Sequence, residues 1–133
     1  MRSIIVLTVV LALSASAWAG GVALVDAAGA AHGTVKVTLA RGSVALKITG
    51  LARLPAPVNA FTATEYKAYL LSSTDAAREV FLTDLYPDAR QRTTRKVVLG
   101  GDVSQMGFDR VVVTAFSEDG QNSFDVLTAT LTP

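Results

Sequence analysis

The chain has 133 residues, with 12 basic side chains, 11 acidic side chains, one histidine and no cysteine. Half of the residues are apolar and 17% are charged, a balance that excludes disorder and lets one domain build a core without a metal or a disulfide. The missing cysteine excludes disulfides, thiolate metal sites, cysteine nucleophiles and an acylated lipoprotein anchor, and near-neutrality excludes the broad basic footprint of a nucleic-acid binder.

Residues 1–19 read as a cleavable signal peptide. Arg2 supplies the positive n-region, Ile4 to Leu13 the apolar stretch, and Ala17-Trp18-Ala19 the small residues that the peptidase inspects, so cleavage is expected between Ala19 and Gly20. The run from Ile4 to Ala19 falls short of the roughly 20 apolar residues that cross a bilayer, so no stable membrane insertion is expected after cleavage. The expected location is the periplasm, the cell surface or the extracellular medium. Residues 20–133 form the expected single domain, and removing Arg2 leaves its basic and acidic side chains in balance.

Gly20 to Ala28 is compatible with a first strand, and Ala27 to Gly33 is rich in the small residues of loops. From Thr34 to Gly50 the alternation is clear. Val35, Val37 and Leu39 alternate with Thr34, Lys36 and Thr38, and beyond Arg41-Gly42 the pattern resumes with Val44, Leu46 and Ile48, predicting a β-hairpin with one buried face. Pro55 and Pro57 cannot sit in a central strand, so Leu51 to Thr62 is expected to be a long surface connection.

Thr64 to Ser73 and Glu79 to Leu85 are predicted strands, as are Arg92 to Leu99, Asp109 to Ser117 and Val126 to Thr132, with Glu118 to Asn122 as a turn. Seven or eight short strands without a long helix predict an all-β fold, an antiparallel sandwich of two sheets.

Three motifs follow one another in a familiar order. These are Gly50-Leu51-Ala52-Arg53-Leu54-Pro55, then Tyr66-Lys67-Ala68-Tyr69-Leu70-Leu71, then Phe108-Asp109-Arg110-Val111-Val112-Val113-Thr114 ahead of a last strand from Val126. Over roughly residues 33–131 the chain resembles the extracytoplasmic domain of anti-sigma-K-type regulators and related exported bacterial proteins. It departs from them in having Tyr69 where a tryptophan is common, and Ser123-Phe124-Asp125 where Pro-Thr is expected before the last strand. It also lacks the sigma-binding segment and transmembrane helix that a membrane-bound regulator carries ahead of this domain. The resemblance implies an immunoglobulin-like sandwich and an extracytoplasmic role; it does not imply sigma-factor control.

Candidate chemistry is sparse. His32 is the only histidine, which excludes multi-histidine metal centres, and no G-x-S-x-G elbow accompanies it, so it reads as a solvated loop residue. The carboxylates Asp84, Asp88, Asp102, Asp109, Glu118, Asp119 and Asp125 gather at strand ends without the spacing of a calcium loop, and read as turn formers.

Arg90, Arg92, Arg95 and Lys96 form the one basic concentration, with Arg92 and Lys96 on one face of a strand and Arg95 on the other. Tyr66 and Tyr69 point to opposite faces of their strand, one toward the core and one available to a partner, in an assignment that depends on register.

The expectation is therefore a non-enzymatic binding or adaptor module with no cofactor, metal or nucleic acid. Its expected partner is an envelope or extracellular protein, and Tyr66, Tyr69, Arg92 and Lys96 are its candidate contacts. A structural subunit assembling by β-strand addition, with Gly20 to Ala31 as the donated strand, is the alternative reading and allows for self-association. A small secreted hydrolase is a third.

Overall fold

A computed structural model describes residues 21–38, 42–75, 77–100 and 107–131; the expected signal peptide of residues 1–19, its expected cleavage point and Asp102 lie outside the described residues. Ten strands follow one another: β1 (Val22–Val25), β2 (Ala31–Thr38), β3 (Ser43–Ile48), β4 (Ala56–Val58), β5 (Phe61–Ala63), β6 (Glu65–Leu71), β7 (Glu79–Leu85), β8 (Thr93–Val98), β9 (Arg110–Phe116) and β10 (Ser123–Thr130). No helix occurs among the described residues.

Eight strands form one antiparallel sheet in the order β7-β6-β9-β10-β1-β2-β3-β8, while β4 and β5 pair as a separate two-stranded ribbon. The expected hairpin is β2–β3, with Val35 opposite Leu46 and Val37 opposite Val44.

Where the sequence suggests two sheets, hydrogen bonding runs through all eight strands, and the sheet curls until it nearly closes into a barrel. Register shifts between Ala23 and Val25, between Ala68 and Tyr69, and between Asp125 and Leu127 give the local twist and bend that such curling needs. At the seam, the Arg95 guanidinium of β8 donates a 3.2 Å hydrogen bond to the Thr83 hydroxyl of β7.

The connection expected from Leu51 to Thr62 contains the β4–β5 ribbon. Pro57 is tolerated there because a two-stranded ribbon leaves one side of each strand unpaired. β2 also begins earlier than its sequence suggests, taking in His32 and Gly33.

The interior is filled from both halves of the sheet. Val35, Val37, Val44, Leu46 and Ile48 meet Tyr66, Ala68, Leu70, Leu85, Val111, Val113, Leu127 and Ala129, and all of these are buried. Gly33 sits on this framework with φ at +144°, and a Cβ there would strike the Lys47 carbonyl and lie 2.8 Å from the Ile48 Cα. Both neighbours are backbone of a paired strand and cannot yield. Gly33→Ala is therefore expected to destabilise the domain by roughly 3 kcal/mol or more, read from denaturant midpoints, whereas Gly29→Ala, which meets no atom but must hold φ at +85°, should cost less, the backbone strain alone.

Candidate functional site

Side-chain alternation divides the molecule into an interior and two outer walls. On β6, Tyr66, Ala68 and Leu70 point inward, and Glu65, Lys67, Tyr69 and Leu71 point outward. Tyr66 is 2% exposed, its hydroxyl donates to the Ala52 carbonyl at 2.8 Å, and burial pushes its phenol up. It is withdrawn as a partner contact because register assigns it to the core.

Tyr69 lies on the outer wall in a row of cross-strand neighbours, with Phe81 of β7 on one side and Val112 of β9 on the other. The Tyr69 ring meets Phe81 edge-on at 5.8 Å and Phe116 at 6.4 Å. The Lys67 ammonium lies 5.6 Å from the Phe81 ring centre and 6.0 Å from that of Phe116, and approaches Asp84 at 3.9 Å. Phe81 is 49% exposed, so this cluster is an aromatic surface and not an extension of the core. Glu65 on β6, Glu79 and Asp84 on β7 and Asp125 on β10 lie around it.

Arg92 and Lys96 are not part of this surface. Both are exposed at the other wall, Lys96 on β8 and Arg92 just before it, where Arg92 approaches Asp88 at 4.0 Å. Arg95 faces the seam, opposite Leu46. The four candidate contacts are thus divided among the core, one outer wall and the other. The contributions of Phe81, Phe116 and Lys67 escape sequence reasoning, because only the pairing of β6 with both β7 and β9 brings them together.

His32 is not a loop residue. Asp26 folds the turn before it, accepting the N–H groups of Ala28 and Ala30 at 2.9 Å each, so β2 starts at once and His32 is held against Asp26 at 2.8 Å. This pair borders a cleft of about 250 Å³ lined also by Leu51, Val58, Tyr66 and Val126. The only hydroxyl in that lining is the Tyr66 phenol, which is engaged with Ala52, so the pair faces no serine or threonine nucleophile.

Three further aspartates brace loops. Asp88, Asp109 and Asp119 are held below the ordinary carboxylate range by hydrogen bonds from the Arg92 N–H, the Ser73 hydroxyl and the Ser117 hydroxyl respectively. Among the described residues no group of three or more histidines and carboxylates is arranged to hold a metal.

These features define the class: an all-β, antiparallel, nearly closed barrel with an aromatic outer wall. The chain matches no protein family, no curated protein and no solved structure.

The Asp26 carboxyl is lowered chiefly by the His32 hydrogen bond and then by the Ala30 N–H. A carboxyl depressed in the folded state contributes stability above its unfolded value near pH 4, and loses it as pH falls through the lower folded value. Asp26→Asn should therefore be less stable than the native chain at pH 7, with the difference shrinking below about pH 4, as followed by urea denaturation across that range.

Proposed function

We propose that the protein is an exported, non-enzymatic binding module whose β7-β6-β9 outer wall contacts another protein of the cell envelope or the exterior. The observation that carries this reading is Phe81, half exposed on an edge strand and packed edge-on against Tyr69. Aromatic side chains offer large contact area at low entropic cost and are enriched where proteins meet. Lys67 and the surrounding carboxylates supply a polar rim.

Export rests on the signal-peptide pattern of residues 1–19, with a mature chain beginning at Gly20. The resemblance to the extracytoplasmic domain of anti-sigma-K-type regulators supports the same location. An immunoglobulin-like sandwich is a reading of the same barrel: its order falls into β7-β6-β9-β10 and β1-β2-β3-β8, joined through the single registered pair Val25–Thr128.

That narrow join also favours a second reading, in which β1 is exchanged between copies and the protein is a subunit assembling by strand addition.

A photo-crosslinking residue in place of Phe81, and another in place of Thr34 on the opposite wall, would test the assignment in living cells. The expected result is a hetero-adduct from position 81 alone, lost when Tyr69→Ala is added while the fold persists by circular dichroism. Adducts from position 34 alone would overturn it, and ladders of the chain itself would favour strand addition.

A further inference from the structure

The wall opposite the aromatic surface has its own chemistry. β1, β2, β3 and β8 together contain no aspartate or glutamate, yet their outer faces present Lys36, Lys47 and Lys96. Register aligns them: Lys36 is opposite Ala45, which is opposite Lys96, and in the next outward row Thr34 is opposite Lys47, which is opposite Thr94. With strands about 4.8 Å apart, Lys36 and Lys96 root about 10 Å from each other, with Lys47 between them one row along.

All three lysines are exposed, and none has an ion-pair partner among the described residues. Among the described residues of the flanking loops, Asp26 is occupied with His32 and Asp88 with Arg92. A shallow depression lined by Lys47, Thr49, Thr94 and the paired Arg92 and Asp88 adjoins this surface toward the end of the barrel, with the Lys47 ammonium as its unpaired charge among the described residues. In a chain whose charges balance overall, this is a concentration of one sign on one wall, and its attraction for anions is local.

We infer that this wall binds a flexible linear polyanion carrying phosphate or sulfate groups. Lysines interleaved with threonines give point charges and hydroxyl donors to anionic oxygens. The four strands carry no phenylalanine, tyrosine or tryptophan, so the wall lacks the stacking platform that holds nucleic-acid bases, and the exposed Val98 at the end of β8 is a small apolar contact beside the several that seat a protein in a lipid interface. Recognition is by charge and spacing, independent of the aromatic wall.

The test uses the mature chain and long-chain polyphosphate, with binding measured by calorimetry and fluorescence anisotropy over a range of salt concentrations. Lys36→Gln/Lys47→Gln/Lys96→Gln should weaken binding about tenfold or more, and should flatten the slope of log affinity against log salt by about 2, three contacts at roughly 0.7 each. Lys36→Arg/Lys96→Arg should retain binding. Arg53→Gln/Arg78→Gln, with the same net charge as Lys36→Gln/Lys96→Gln but on loops, should bind better than that pair.

Equal losses in the two double variants would overturn the inference by reducing it to net charge. Absence of binding, or capture by phosphatidylglycerol vesicles without capture by free polyphosphate, would also overturn it. Because Phe81 and Tyr69 are untouched, none of these results bears on the proposed protein contact.

Discussion

Each strand of the main sheet sends alternate side chains into one apolar interior, and the filling of that interior from two sides constrains the rest of the molecule. Val35, Val37, Val44, Leu46 and Ile48 on one half, and Tyr66, Ala68, Leu70, Val111 and Val113 on the other, can all leave water only if the sheet bends back on itself. Small residues such as Ala68, Ala115 and Ala129 let the halves approach, while bulges in β1, β6 and β10 supply the bend. Once the inward positions are fixed, the period of two leaves no choice about the outward ones.

The outward positions differ sharply between the halves. On β6, β7 and β9 they include Tyr69, Phe81 and Phe116, with Lys67 set among the rings; on β2, β3 and β8 they include Lys36, Lys47 and Lys96 with Thr34, Thr94, Ala45 and Val98. A chain of near-zero net charge thus carries two surfaces of different chemistry on opposite sides of one core. The seam between β7 and β8 is guarded by Arg95, whose guanidinium reaches Thr83, so a charged side chain occupies the place where unpaired strand edges come together.

The loops follow a common rule. Asp26, Asp88 and Asp119 each accept backbone N–H groups of residues just ahead in sequence, closing tight turns. These three carboxylates therefore serve the backbone, while Asp84 and Asp125 meet the side chains of Lys67 and Thr114. His32 belongs to the same economy of turns, since its ring bonds the Asp26 oxygen that the backbone leaves free.

The sequence by itself determined the all-β character, the β2–β3 hairpin with its buried valines, the β6, β7 and β9 strands to within a residue or two, and the turn at Glu118 to Asn122. These follow from alternation and turn chemistry, which act over a few residues. Only the tertiary structure decided that eight strands join in one curled sheet, that Pro57 enters a small ribbon, that His32 lies in a strand, and that Tyr66 faces inward while Tyr69 faces out. It alone assembled Tyr69 with Phe81 and Phe116, and Lys36 with Lys47 and Lys96. Strand order and cross-strand register are set by packing among segments tens of residues apart, and local patterns carry no record of which strand lies beside which.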